Sequence, residues 1–462
     1  MVAAFGNVES ASTWADSPRG RKSAPAPRPR IADTLATLAG VGFGAIVAFV
    51  IAGDSMGYLK SSGDWWIALG RLCAMTGAYL LLIMVVLIAR IPWLERTVGQ
   101  NQLVRWHRSI GPWAITLIAL HITMVTIGYS EVNHAGIVKQ FGIFIAHYPD
   151  LLASLVGFSL LVMAGVSSAR IVRDRMRYET WWIVHLYMYL GLALAFFHQI
   201  RVGVLFLGDS LARTIWITAW AGAALVIILC RVALPVRTNS RHHLRVDSVV
   251  KVAPTVHSVV IRGRHLADLA VAGGQFFQWR FLAPGLWWHS HPYSLSALPQ
   301  PPFLRLTVKG VGDQSRALAH LKPGTRVFME GPYGAFTHHV RAHDHVLMIG
   351  AGVGVTPLRA LLEDFPDSIQ VNVIIRVSKP SDVLHFEEFE SLVARHHGQL
   401  HILAGPRHGV RFDGHSLRQL APEIDKSDVY VCGPPAFSDY VVAMATELGV
   451  DNERIHRELF AF

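Results

Sequence analysis

Four histidines stand where histidines are costly. His107 and His121 close the two ends of the apolar stretch HRSIGPWAITLIALH, and His185 and His198 close the ends of a second, HLYMYLGLALAFFH. A lone imidazole in such a run would simply hydrogen-bond a neighbouring helix. Four of them, in two pairs, point to function, because ionisable groups in hydrocarbon are rare. At the helical rise the first pair is about 21 Å apart along its axis and the second about 20 Å. Two such helices side by side would meet at two levels, each offering one imidazole to either face of a planar metal centre. That is the arrangement axial haem ligation requires. The angular spacing fits less well. At about 100° per residue, the step from His107 to His121 returns within about 40°, while the step from His185 to His198 ends about 140° away. The second of these helices is therefore expected to be over- or underwound by a π-bulge, or strongly tilted. Pro112 should bend the first.

The elements that must hold these histidines are membrane helices. The 462 residues are 52% hydrophobic and only 16% charged, with mean hydropathy +0.36, and the excess lies before about residue 235. Six runs are long enough to cross ~30 Å of hydrocarbon: roughly 32–53, 65–89, 106–128, 151–169, 181–200 and 213–234. The histidines fall in the third and fifth. The first run has no small-residue cleavage site and is expected to be a retained helix. The net charge of +10 does not imply nucleic acid, because the arginines gather at the span ends. Arg19, Arg21, Lys22, Arg28 and Arg30 precede the first span, Arg90, Arg96, Arg105 and Arg108 follow the second, and Arg170, Arg173, Arg175 and Arg177 follow the fourth. By the positive-inside rule both termini are cytoplasmic and the chain is a multi-pass cell-membrane protein. The third and fifth spans then run the same way, with His107 and His185 near the inner face and His121 and His198 near the outer. Residues 1–30, rich in Ala, Pro, Ser and Arg, are expected to be a disordered basic tail. Three scattered cysteines, Cys73, Cys230 and Cys432, exclude a disulfide framework and fall short of the four that a plant-type iron–sulfur cluster needs.

After His243 the pattern becomes two-residue alternation: LRVDSVVKV, HSVVIRG, QFFQWRFL, PYSLSAL, FLRLTVKGV and RVFMEG. These predict a small antiparallel β-barrel. From His345, strand–helix alternation through HVLMIG, VNVIIRV, QLHIL and DVYVCG predicts a parallel α/β sheet. Glycine loops are weak signals alone, but GAGVGVTP, Gly350 to Pro357, follows a strand and opens a helix, where bare amides can approach a dinucleotide.

Two histidine pairs at these spacings, in the third and fifth of six helices, resemble the ferric reductase-type transmembrane domain shared by NADPH oxidases and ferric-chelate reductases. The loop RDRMRYETWWIVH and the exit FFHQI are similar to its bacterial members. HPYSLSALP, His291 to Pro299, resembles the flavin motif of ferredoxin–NADP reductase-like barrels in its NADPH-oxidase version, with His291-Pro292 in place of the commoner Arg-x. The resemblance implies FAD, with Tyr293 on the isoalloxazine ring, Ser294 at its N5 edge and His291 toward the pyrophosphate and ribityl chain. It further implies that Lys309, Gly312 and Ser315 of KGVGDQS neutralise and cradle phosphate, the last two opening a helix. GPYG, starting at Gly331, would end the barrel near adenine. Gly350, Gly352, Gly354 and Thr356 would carry the nucleotide. In VCGPP, Cys432 would lie beside the nicotinamide, with Gly433 and Pro434 forming the turn. A terminal aromatic covers the flavin in this family, making Phe462 the candidate gate and Phe460 its alternative. At the end of the second strand of the parallel sheet, in IIRVSKPSD, Arg376 and Lys379 precede the first acid, Asp382, which favours NADPH, with NADH the alternative.

The resemblance thus implies a multidomain chain: a tail, 1–30; a six-helix all-α haem domain, 31–236; an antiparallel β-barrel FAD domain, 241–340; and an α/β NAD(P) domain, 343–462. Electrons would pass from NADPH to FAD, then through two b-type haems ligated by His107, His121, His185 and His198, to an acceptor outside. Oxygen and a ferric chelate both suit this machinery. Oxygen is favoured by the oxidase-type flavin motif and by the lack of a cysteine or acid cluster for iron docking. His134, His147, Gln199 and Arg201 are the outer-side residues that would steer the acceptor. No calcium-binding module is visible, so constitutive activity is expected; oligomeric state is left open. The rival readings are a membrane-anchored flavin reductase and a proton channel, both without haem.

Overall fold

The computed structural model describes residues 29–53, 59–406, 409–410 and 412–459. Six helices within it are long and apolar enough to cross a membrane: α1 (Pro29–Gly53), α2 (Ser62–Leu87), α3 (Gln100–Val132), α4 (Leu151–Ser168), α5 (Tyr178–Val202) and α6 (Ser210–Ile228). Their starts are chemically marked. Ser61 and Asp64 form a reciprocal capping box on α2, and the Asp209 carboxylate accepts from Leu211 N and Ala212 N at the head of α6. Half of the most apolar window of α2 is buried, against 22% or less for the other five. The apolar excess elsewhere faces outward, as lipid requires, and α2 is the inner helix of the set.

Small residues bring these helices close. A Cβ built on Gly157 of α4 would stand 2.5 Å from the carbonyl oxygen of Gly191 of α5, and one on Gly191 would stand 2.7 Å from Gly157 O. Only glycine permits that approach, which supplies packing where no hydrophobic force drives helices together. α5 is a single uninterrupted α-helix, so the irregularity expected between His185 and His198 is absent. The π turn of this bundle lies instead after α6, at Leu229–Ala233. A step of about 140° is a mismatch only between parallel axes, and a strong tilt is the other expectation. Between crossing helices the facing stripe drifts with height, and a regular helix can then meet its neighbour at two azimuths.

The described residues divide into two compact units, one within 29–91 and 101–232, the other within 92–100 and 233–459. In the second, six strands form two antiparallel sheets. β1 (Arg245–Ala253), β2 (Val256–Arg262) and β5 (Phe303–Lys309) make one, in the order β1-β2-β5. β4 (His291–Ser294), β3 (Phe276–Phe281) and β6 (Val327–Tyr333) make the other, in the order β4-β3-β6. Isolated bridges, Arg245 to Arg326 and Leu295 to Leu306, link the two at both edges. Alternation is literal in β3: Phe277, Trp279 and Phe281 are fully buried between half-buried neighbours.

Five parallel strands follow: β7 (His345–Ala351), β8 (Gln370–Val377), β9 (Leu400–Ala404), β10 (Asp428–Gly433) and β11 (Ile455–Leu459), in the order β11-β10-β7-β8-β9. Helices α7 (Val355–Asp364), α8 (Phe386–Arg395), α9 (Gly414–Leu420) and α10 (Pro435–Glu447) connect them. The chain runs outward from β7 in one direction and returns to start β10 on its other side. That reversal opens a crevice at the carboxyl ends of β7 and β10, where open α/β sheets bind ligands.

Candidate functional site

The membrane histidines do meet. The rings of His107 and His185 lie 6.3 Å apart, centroid to centroid. Two metal–imidazole bonds of about 2 Å, plus the distance from each ligating nitrogen to its ring centre, require roughly this separation. Their other nitrogens are engaged. His107 Nδ1 is 3.3 Å from Met84 O and His121 Nδ1 is 3.0 Å from Gly70 O, both carbonyls of α2. A carbonyl only accepts, so each Nδ1 carries the proton and each Nε2 presents a lone pair, the tautomer a metal needs. His185 Nδ1 lies 3.2 Å from Ser168 Oγ, which also accepts from Trp181 Nε1 at 3.1 Å. The Trp181 ring stacks on His185 at 5.2 Å and is itself capped by the Arg173 guanidinium at 4.8 Å. The pair His107 and His185 is thus oriented from outside its own contact.

His121 and His198 line one largely apolar cavity, enclosing about 1090 Å³ of atom-free space, solvent included. His198 Nδ1 is buried in it with no hydrogen-bond partner among the described residues. Tyr129, Phe144 and Tyr148 wall it, and Arg71 of α2 brings the one guanidinium. Arg71 escaped the sequence reading, although a single arginine inside IALGRLCAM was the signal. Gln199 also lines the cavity and accepts from Trp216 Nε1 at 2.9 Å. Arg201 is paired with Asp150 at 3.1 Å, and neither His134 nor His147 belongs to the lining.

In the second unit the flavin-motif residues sit on β4. His291 stacks on Tyr293, centroids 5.8 Å apart and planes 18° apart. His291 Nε2 and Ser294 Oγ are both buried without a partner among the described residues. Buried polar atoms are almost always bonded, so two orphans on one short strand fit a polar ligand edge there. Burial, with His289 adding to it, pushes the His291 imidazole down to about 4, so it stays neutral at physiological pH. Pro292 lies between them, paired with Gln278 of β3. Lys309 is exposed at the end of β5, and Gly331 lies within β6. The predicted helix at Gly312 is short, Asp313–Ala317 followed by a 3-10 turn at Leu318–His320. Ser315 Oγ is engaged within its own loop, accepting from Gly312 N at 2.9 Å and Val311 N at 3.0 Å.

At the crevice, the glycine loop and the cysteine loop touch. Gly350, next to last in β7, stands opposite Cys432 of β10, and Gly352–Gly354 forms a 3-10 turn into α7. A Cβ on Gly354 would fall 2.5 Å from Cys432 O and 2.8 Å from Gly433 Cα. Thr356 Oγ1 donates to Val353 O at 2.9 Å, closing the turn. Pro434 precedes α10 as its N-cap. Lys379 is exposed beyond β8, but Arg376 is spent locally, donating to Leu403 O at 3.1 Å, Gly405 O at 2.9 Å and Pro406 O at 3.2 Å. Phe460 and Phe462 lie outside the described residues.

Sequence reading also missed Glu458. It sits on β11 in register with Cys432 and is 8% exposed. Burial raises its carboxyl from 4.5 to about 7, and burial together with this carboxylate raises the Cys432 thiol. Below pH 4.5 both folded and unfolded forms are protonated. From there to about pH 7 the unfolded chain ionises first, so stability falls as pH rises, by about 3 kcal/mol in all. Glu458→Gln should flatten that fall. Thermal melting of both proteins at pH 5 and pH 8 checks this, and equal pH slopes would refute it.

Residues 73–196 match the family described as ferric reductase like transmembrane component, and 348–443 match the oxidoreductase NAD-binding domain. The glycine betaine monooxygenase reductase subunit of Pseudomonas aeruginosa (strain UCBPP-PA14) is 29% identical over 185 residues, 36% of this chain and 50% of that protein. The flavohemoprotein of Vibrio cholerae serotype O1 is 30% identical over 180 residues, 36% of this chain and 45% of that one. The chain spans about half the length of these curated relatives. Among solved structures, the flavohem-like FAD/NAD binding domain of nitric oxide dioxygenase from Vibrio cholerae O1 biovar El Tor aligns with a TM-score of 0.39 at 24% identity, covering 47% of this chain and 98% of that one. The chain is therefore a multi-pass membrane oxidoreductase that joins a ferric reductase-like transmembrane component to an oxidoreductase NAD-binding domain.

Proposed function

We propose that the chain moves electrons across a membrane, from cytosolic NADPH through FAD and two b-type haems to oxygen on the outer face, yielding superoxide. The approach of His107 to His185 at 6.3 Å, matched by His121 and His198 around one cavity, is the observation that carries this reading. When bound, these groups supply hydride acceptance and single-electron relay, which side chains lack. Two relay centres suit the thickness of the hydrocarbon, about 30 Å.

The chain's own residues then have definite tasks. Carbonyls of α2 fix the tautomers of His107 and His121. Tyr293 would support the flavin ring, with Ser294 at its N5 edge, His291 toward the pyrophosphate and ribityl chain, and Lys309, Gly312 and Ser315 toward phosphate. Gly350, Gly352, Gly354 and Thr356 shape the nucleotide turn beside Cys432. With the Arg376 donors engaged at carbonyls, Lys379 is the side chain that selects a 2′-phosphate. The tasks divide over 31–236, 241–340 and 343–462, with both termini cytoplasmic by the distribution of arginines. His107 with His185, and His121 with His198, would hold the two haems, which would supply single-electron transfer to an acceptor that does not bind the metal.

Arg71 in the outer cavity favours a second acceptor class, since a cation there attracts an anionic ferric chelate. Anaerobic reduction of the purified full-length protein with NADPH, followed by mixing with oxygen or ferric citrate, separates the two. Faster reoxidation by oxygen supports the oxidase. Pyridine haemochrome analysis should give about two b-type haems per chain; none would leave an anchor or channel and overturn the reading.

A further inference from the structure

A buried charge cluster ties the flavin-motif strand to the nucleotide-loop helix. Arg305 of β5 grips Glu388 of α8 with both nitrogens, Nη1 to Oε1 and Nη2 to Oε2, each at 2.7 Å. Arg359 of α7 places Nε 2.6 Å from Glu388 Oε2 and pairs with Glu363 one turn on. None of the four is more than 5% exposed. His385 adds Nδ1 at 3.2 Å from Glu388 and Nε2 at 3.0 Å from the Thr307 hydroxyl of β5. Burial and then the Arg305 charge hold His385 down to about 4, so the cluster sums to zero charge: two guanidiniums against two carboxylates.

Its polar edges reach into HPYSLSALP. Arg305 Nε donates to Ser296 Oγ at 3.1 Å and Nη2 to Ser296 O at 3.0 Å. Thr307 Oγ1 also lies 2.9 Å from Ser296 Oγ. Leu298 N donates to Glu363 Oε2 at 2.9 Å. Ser296 and Leu298 are two and four residues beyond Ser294, the proposed contact to the flavin. Arg359 and Glu363 stand on the helix that starts just after Gly354, the glycine against Cys432.

We propose that Arg305 and Glu388 are positioning residues: their pair fixes the flavin segment against α7 and so sets the approach of nicotinamide to flavin. This rests on the reading of Ser294 and Cys432 as flavin and nicotinamide contacts. The step affected is one hydride transfer, in which two electrons and a proton leave the dihydronicotinamide, now oxidised, and arrive on the flavin, now reduced. A buried ion pair contributes little net stability and can be replaced by apolar residues of similar volume without loss. Misplacement by about 1 Å, in contrast, costs on the order of 100-fold in rate. The pair's main effect is therefore geometry.

The test is Arg305→Met/Glu388→Met in the full-length protein, which removes one positive and one negative charge and leaves Arg359 with Glu363. Anaerobic rapid mixing with NADPH should show flavin reduction slowed roughly 10- to 100-fold, with unchanged nicotinamide Kd, weaker long-wavelength flavin–nicotinamide charge-transfer absorbance and a melting temperature near wild type. A wild-type reduction rate in this folded variant overturns the proposal. Should the double variant fail to fold, Thr307→Val, which cuts the His385 link without touching charge, is expected to slow reduction about 3- to 10-fold; an unchanged rate again overturns it. If the wild-type protein holds no flavin or is not reduced by NADPH, the functional reading fails instead, and the two failures are distinct.

Discussion

His107→Ala and His185→Ala are each expected to lower haem content from about two to about one per chain and to cut NADPH-driven reduction of an outer acceptor by at least roughly 100-fold, since one remaining centre cannot span the hydrocarbon. Flavin reduction by NADPH should continue at the wild-type rate, because the second unit folds around its own cores. The pair is sensitive for a geometric reason. The rings lie at ligating separation and each is held from behind, His107 by Met84 O and His185 by Ser168 and Trp181. Weakening that support should have a smaller effect in the same direction, about 10-fold or more for loss of an outer-shell partner of a ligand. Haemochrome content, spectra of the NADPH-reduced protein and rapid-mixing flavin kinetics measure the three quantities. Full haem content in both alanine variants would remove the pair as a ligand set.

Gly354→Val should disable the nucleotide crevice while sparing the membrane half. Even the first added carbon would fall 2.5 Å from Cys432 O and 2.8 Å from Gly433 Cα, and both are backbone atoms in a five-stranded sheet that cannot swing aside. The loop itself must move, and a displacement near 1 Å costs on the order of 100-fold in hydride transfer. Overpacking of this kind also costs about 1–3 kcal/mol of stability. Haem and flavin contents should match wild type, and slow flavin reduction should be the main defect. Wild-type reduction kinetics in this variant would show that the contact between the two loops is not part of the site.

Much of this organisation is visible in the chain because its signals are local. Six apolar runs and the switch to two-residue alternation depend only on residues within a few positions of each other, so α1–α6 and β1–β10 follow from the sequence. His107, His121, His185 and His198 stand out for the same reason, an ionisable type in the wrong solvent. GAGVGVTP is marked by its own strand and helix. Other features depend on residues far apart in the chain. The mismatch of about 140° in α5 points to a bulge or a strong tilt, and the helix contains no bulge. The carbonyls of β9 and the loop after it that Arg376 meets through Nη1 and Nη2 could not be read from its neighbours in the chain.

By itself, then, the sequence determined which residue types could do chemistry, in which solvent they lie and in what order along the chain. Those follow from hydropathy, period and spacing, which act over one turn or one strand. Tertiary structure decided which of them meet. It placed Met84 and Gly70 carbonyls behind two histidines of another helix, set Glu458 beside Cys432 across a strand pair, and joined Arg305 to Glu388 over 83 positions of chain. Such contacts are absent from local pattern because their free energy depends on burial and partner geometry, and both exist only once the sheets and helices have packed.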